Sequence, residues 1–360
     1  MNNFSHSQPF TSRVTMDQAV ELYLNAPLIE LIYRADAIRR RLHPRGIVTW
    51  QIDRNVNITN VCQSGCRFCN FHCKPHQKES LGYVTTMAQY RQKIDQMFAL
   101  GGDQLLLQGG MHPDLGIEYY EQLFGALKSE YPNLKLHALG PPEVAYLANK
   151  AGISDSECLE RLVLSGLTSL PGAGAEILDS EIRRRISPYK CSAERWLQVM
   201  GLAHQMNLLT SATMMYGHVE EPRHRIEHLF KLRDLQDQRP LGAIGFKAFI
   251  AWPFQGKGTV LESKGYSGGN NLLEYLRLIA ISRIVLDNIE NIQASWLTVG
   301  ISAAQMALNS GANDMGSIMI EENVVSSAGS HNTIDSSGMR AAISEAGFTA
   351  VQRDQAYNLL

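Results

Sequence analysis

From Ile47 onward the chain alternates strand-like apolar stretches with stretches of helical periodicity, and this alternation limits the possible folds more than any other feature. Strands separated by helices cannot be joined as hairpins. They build βαβ units and a parallel sheet. Eight strands are expected, at 50–58, 104–108, 135–139, 167–170, 209–215, 244–250, 293–298 and 312–317. The intervening helices are clearest at 86–100, 117–130, 192–207, 221–237, 271–288 and 302–310. In the third of these, Trp196, Val199, Met200, Ala203 and Met206 recur at three-to-four spacing and mark a core-facing stripe. Pro222 stands one step inside the start of 221–237, where its missing N–H costs nothing. Eight alternations predict an α/β fold of the (β/α)8 TIM-type barrel kind, a single domain over 47–360, with an open six-strand barrel plus a C-terminal cap as the alternative. Residues 1–46 read as an N-terminal helical extension. Thr15 and Gln18 have capping-box spacing, and Pro27 divides that helix from a second one with Leu28, Leu31, Ile32, Ala35 and Ile38 on one face. The run Arg39–Arg41 reads as a solvated final turn.

In such a barrel the chemistry sits in the loops after the C-terminal ends of the strands. Gln108-Gly109-Gly110 follows the second strand, Gly172 to Glu176 the fourth, Met215 to Glu220 the fifth and Asn313 to Asn323 the eighth. The loop after the first strand holds four of the six cysteines. Cys62, Cys66 and Cys69 are spaced C-x-x-x-C-x-x-C, with Phe68 just before the last. Three thiolates within eight residues can hold three corners of a four-iron cluster and leave the fourth iron open. A zinc site, or a fully ligated cluster with Cys73 as fourth ligand, is the alternative. Cys158 and Cys191 are isolated and read as small buried hydrophobes.

Composition bears on the setting. The net charge is 33 − 35 = −2, so no basic field speaks for nucleic acid. No apolar run is long enough to span a membrane, and MNNFSHSQPFTSR has no apolar core of a signal peptide. Clustered cysteines in a long chain without an export signal argue for a reducing cytoplasm and a metal site.

The other polar groups are less specific. Pro171-Gly-Ala-Gly-Ala-Glu176 lacks the third glycine of a dinucleotide fingerprint, and Glu176 at a strand end is placed to accept hydrogen bonds from ribose hydroxyls. Arg183–Arg185 read as solvated, with Lys190 and Arg195 beyond them as candidate cations. Tyr216, His218 and Glu220 offer a substrate clamp or proton acceptor, and Asn313-Asp314 with Glu321-Glu322-Asn323 form the last polar group.

The stretches IDRN (52–55), LLLQGGMHPDL, LPGAGAEIL, RRRISPYKC, TSATMMYGHVE, FIAWPFQ and GANDMGSIMIEENVVSSAG, together with the cysteine spacing, resemble the radical S-adenosylmethionine (SAM) superfamily. The resemblance runs from about Ile32 to the C-terminus. It is to the branch holding the futalosine-pathway enzymes of menaquinone biosynthesis and the F0 synthase halves, and most of all to its cyclic dehypoxanthinyl futalosine synthases. It implies one 4Fe-4S cluster on Cys62, Cys66 and Cys69 whose open iron chelates SAM. Phe68, Gln108, Gly109, Gly110 and Glu176 would then line the SAM site, with Lys190 or Arg195 meeting the SAM carboxylate. It further implies a 5′-deoxyadenosyl radical that takes hydrogen from the ribose C4′ of dehypoxanthine futalosine. The sugar radical adds to the benzoate ring, and loss of an electron and a proton leaves a spirocyclic product. His218 or Glu220 would accept that proton, Tyr216, Asn313, Asp314 and Glu321 would meet substrate, and a flavodoxin or ferredoxin would donate electrons. Aminofutalosine synthase and the F0 synthase subunit share the cluster and SAM sites; an iron–sulfur electron carrier is the non-enzymatic alternative. Asn70-Phe-His-Cys73 after the third cysteine departs from the branch's usual pattern, as does Arg195.

Overall fold

The computed structural model describes residues 13–321, 323, 326–328 and 332–360. The first twelve residues of the extension, including most of the segment read for a signal peptide, lie outside them, as does Glu322 of the last polar group. The strands are β1 (Ile47–Gln51), β2 (Asp53–Asn57), β3 (Gln104–Gln108), β4 (Lys135–Ala138), β5 (Ser169–Leu170), β6 (Leu209–Tyr216), β7 (Phe246–Pro253), β8 (Asn291–Gln293), β9 (Asp314–Ser317) and β10 (Thr349–Gln352). All pair in parallel, in the order β10-β1-β9-β8-β7-β6-β5-β4-β3-β2.

β1 and β2 are two halves of one strand interrupted at Ile52, so the two ends of this order meet through the chain. β2 pairs with β3, while β1 pairs with β9, and Ile320 N–H donates to Asp53 O on the same side. With β1 and β2 counted as one strand and β10 set aside, eight parallel strands form the ring, as the alternation predicts. β10 pairs with the lower half of the first strand, on the edge that β3 takes higher up.

Several boundaries differ from expectation. The stretch 293–298 is strand only at its start; β8 ends at Gln293 and Trp296–Val299 turns into a short helix. A short apolar run carries no period that separates strand from buried helix. The fourth strand shrinks to Ser169–Leu170, the sixth shifts to Phe246–Pro253, and β10 was not among the expected eight. Helices at Pro141–Ala151, Asp155–Leu164, Ser180–Ile186 and Ser336–Glu345 add to those anticipated.

The extension forms helices Met16–Asn25, with the Thr15/Gln18 capping box present, and Leu28–Leu42. These pack on the helix Leu272–Val285, which is buried nearly all round because barrel and extension cover its opposite faces. Arg39 is not solvated. It is buried, bonds Asp36, and lies 4.7 Å over the Phe348 ring.

Candidate active site

β2 ends at Asn57 and the chain turns across the barrel mouth. Cys73 N–H donates to Asn60 O and Cys62 N–H to Cys73 O, which folds residues 60–73 into a closed loop. Asn60 also holds the segment behind it, donating to Leu81 O and accepting from Tyr83 N–H. Within the loop the Ser64 hydroxyl sits 3.0 Å from Cys62 Sγ and 3.2 Å from Cys66 Sγ, and Met111 N–H donates to Cys62 Sγ at 3.3 Å. The loop covers a cavity of about 2220 Å3, counted with its open mouth, that fills the barrel interior. Cys62, Cys66 and Cys69 all line it, whereas Cys73 does not. Burial pushes the Cys66 thiol up to about 12 and raises Cys69 as well, so their thiolates need a cation at the sulfurs. No three His, Cys, Asp or Glu side chains among the described residues converge on a single ion. Three irons of a cluster need no such convergence, since each takes one thiolate.

Gln108, Gly109 and Gly110 line the cavity beside the loop. Opposite them, Glu176 takes a left-handed backbone conformation, φ 45°, that a side chain other than glycine adopts only at a cost of roughly 1–2 kcal/mol. The buried Arg183 holds this turn. Its guanidinium donates to Gly174 O, Ala175 O and Cys191 O, so it ties the strand-end loop to the segment that carries Lys190. This corrects the reading of Arg183 as solvated: three carbonyls replace its water. Lys190 Nζ reaches Glu176 Oε1 at 3.0 Å and lies 5.4 Å from the Phe68 ring centroid. Burial alone would lower the Lys190 ammonium, but Cys66, Glu176 and Glu143 reverse this and hold it above the ordinary lysine range. Glu143, at the start of the helix after β4, also lines the cavity; burial raises its carboxyl to about 6, and Oε2 has no partner among the described residues.

Not every expected residue is gathered here. Arg195 turns away to a bidentate pair with Asp155, because helix Ala193–Gln205 presents that position to helix Asp155–Leu164. Tyr216, His218 and Glu220 stand behind the wall rather than in it. His218 Nε2 lies 3.0 Å from Met215 O, and Nδ1 lies 2.7 Å from Val219 N and 3.0 Å from Glu220 Oε2; burial shifts the proton affinity of the ring downward against the pull of Glu220. Glu220 binds the N–H groups of Gly217 and His218 and the guanidinium of Arg225, which also lies over the Tyr216 ring. Asn313 bonds Asn291 and Arg283, and Asp314 is paired with Arg353 beneath the cavity. Glu321 binds Arg54 and Lys93 on the outside of β2. Conversely, Glu143, Asp53, Asn55, Asn57, Trp252 and Trp296 line the cavity without having been singled out as site residues. A legible signal existed for the first four: an acid opening the helix after the third strand, and polar residues at alternate positions of a strand.

Residues 56–232 match the radical SAM superfamily, and residues 243–360 match the CofH/MqnC C-terminal region. The cyclic dehypoxanthine futalosine synthase of Streptomyces coelicolor is 42% identical over 350 residues, which cover 97% of this chain and 86% of that protein. The chain belongs to the radical SAM superfamily. The synthase of the same name from Halalkalibacterium halodurans is 39% identical, covering 97% and 92% of the two chains. A 5-amino-6-(D-ribitylamino)uracil–L-tyrosine 4-hydroxyphenyl transferase from Archaeoglobus fulgidus is 37% identical over 91% of this chain and 92% of its own. The crystal structure of methylornithine synthase superposes with a TM-score of 0.70 at 19% identity, covering 96% of each chain, and shares the fold. The superfamily implies a 4Fe-4S cluster and SAM. The residues present fit both: three thiols on one cavity wall, and beside them a lysine–glutamate pair with an unpartnered carboxylate oxygen nearby. Among the described residues no helix is long and apolar enough to cross a membrane.

Proposed function

We propose that this radical SAM protein is a cyclic dehypoxanthine futalosine synthase. It joins the ribose C4′ of dehypoxanthine futalosine to the benzoate ring in menaquinone biosynthesis, in the cytoplasm, within a single barrel domain over 47–360. The observation that carries this reading is a single chamber with the thiols and the Lys190–Glu176 pair at its mouth and a polar and aromatic interior beneath them. The two synthases at 42% and 39% identity over nearly the whole chain supply the substrate.

Cys62, Cys66 and Cys69 would hold the cluster, and when bound the cluster and SAM supply a 5′-deoxyadenosyl radical on one-electron reduction. Lys190 pairs with the SAM carboxylate, Glu176 accepts from ribose hydroxyls, and the backbone at Gln108–Gly110 meets the methionyl amino group. Phe68 shields this end of the chamber, and the barrel wall keeps water from the radical. Overall the substrate loses two hydrogens: one as an atom to the deoxyadenosyl group, one as a proton whose electron leaves through a one-electron carrier such as a flavodoxin or ferredoxin. The test is anaerobic incubation of the reconstituted, reduced protein with SAM and dehypoxanthine futalosine. 5′-Deoxyadenosine and a product two hydrogens lighter than the substrate are expected. Turnover of the aminofutalosine or F0 synthase substrate in its place would reassign the enzyme.

A further inference from the structure

Side chains alternate across a strand, so residues two apart share a face. On β1 and β2 the inward face carries Gln51, Asp53, Asn55 and Asn57, and all four line the cavity. Between them Arg54 points outward to Gln96 and Glu321, and Val56 lies in the apolar core. The last three inward residues are each only 3% exposed. Even so, Asp53 Oδ1, Asn55 Oδ1 and Asn57 Nδ2 have no hydrogen-bond partner among the described residues. Two of the three are anchored by their other end: Asp53 Oδ2 accepts from Gln51 and Gln104, and Asn57 Oδ1 accepts from Asn323. Leaving such a group unpaired costs about 1–3 kcal/mol, so three in succession weigh against a purely structural role.

The upper part of the far side of the barrel has the opposite character. β6 stands four places and β7 three from the first strand in the ring; toward their upper ends Met215, Ile250 and Trp252 line the cavity, with Phe254 and Trp296 beyond, while Thr210, Ser211, Thr213 and Lys247 line it lower down. The upper chamber therefore has a hydrogen-bonding side on the first strand and an apolar, aromatic side across from it.

We propose that Asp53, Asn55 and Asn57 form a rail that binds the hydroxyl-bearing sugar edge of the substrate and turns its aryl ring toward the β6–β7 wall. Two acceptors and one donor at two-residue spacing suit hydroxyls, each of which donates and accepts. The three side chains of the rail carry no cation, and Arg353 at its lower end is taken up by Asp314 and Gln51, so the substrate's carboxylate is directed away from the rail. This orientation sets the sugar carbon and the ring in the fixed relation that bond formation between them requires. The inference rests on the proposed activity for the identity of the substrate.

The test uses the reconstituted holoenzyme, with Asn55→Ala and Asn55→Leu, and compares dehypoxanthine futalosine with analogues lacking one ribose hydroxyl. In wild type, removal of the contacted hydroxyl is expected to raise KM about ten-fold, the effect of one lost hydrogen bond in a buried site. Asn55→Ala should raise KM for the full substrate by a similar factor and no longer distinguish it from that analogue. SAM affinity and the cluster absorption should match wild type. Asn55→Leu should melt no lower than wild type while losing substrate affinity, because it removes an unpaired amide rather than a contact. The proposal is overturned if Asn55→Ala keeps the wild-type KM, if it keeps the full penalty for every deoxy analogue, or if Asn55→Leu melts lower with KM unchanged. Should wild type reject dehypoxanthine futalosine and turn over another ribosyl substrate, the activity assignment fails, and the same cycle on that substrate decides the rail separately.

Discussion

At Gly110 a methyl group would stand 2.1 Å from the Val61 carbonyl oxygen and 2.8 Å from Cys62 Cβ. The glycine pair reads in sequence as room for a ligand, but at this residue the near neighbour is the cysteine loop itself. Gly110→Ala is therefore expected to displace that loop. Overpacking against backbone costs about 1–3 kcal/mol, so the melting temperature should fall and reconstituted iron per chain should drop well below wild type. Wild-type iron content in a stably folded variant would disprove the role. Other choices at this scale were closed to the sequence for a related reason. Lys190 and Arg195 are five positions apart, and nothing local tells which meets the chamber. One takes Glu176 inside the barrel and the other Asp155 outside it, partners 14 and 40 residues away along the chain. The cysteines were legible because their spacing is local.

β10 and the residues after it show what an unassuming element can do. Thr349–Gln352 is short and largely surface-facing, so its sequence carries no strong strand pattern. Pairing with β1 nevertheless places Arg353, Gln355 and Tyr357 across the lower end of the cavity. Arg353 Nε and Nη2 meet Asp314 at 2.6 and 3.0 Å, and Nη1 reaches Gln51 Oε1. Both partners are almost fully buried. Breaking such a pair on one side leaves a buried charge, at a cost of about 3–5 kcal/mol. Arg353→Met should lower the urea stability by that amount, and Arg353→Met/Asp314→Leu should recover most of it. A double variant as unstable as the single one would show that the loss lies in packing instead. The strand pattern found the ring's eight positions but misjudged ends such as β8, where pairing with β7 and β9 reaches only to Gln293 before the chain turns into the helix Trp296–Val299.

Across the whole molecule, burial leaves three histidines with strongly lowered proton affinity: His137 to about 3, His204 to about 4 and His228 to about 3. Unfolded histidine titrates near 6.5, so below that pH the unfolded chain binds protons that the folded chain refuses. Stability from these groups is complete above about pH 6.5 and is lost as pH falls toward 4. The limiting slope for three groups is roughly 4 kcal/mol per pH unit. Denaturant midpoints should change little from pH 8 to 7 and fall steeply from pH 6 to 5; a flat profile down to pH 5 would contradict the buried neutral rings. Taken by itself, the sequence determined the parallel α/β ring, the capped helical extension, the three thiols after the first strand and the family, because these follow from period, cap chemistry and short spacing. Only the tertiary structure decided which polar residues share the chamber. It placed Lys190, Glu143, Asn55 and Asn57 on its wall and set Arg195, His218, Glu220 and Glu321 behind it, since facing inward depends on strand register and on partners far away in the chain.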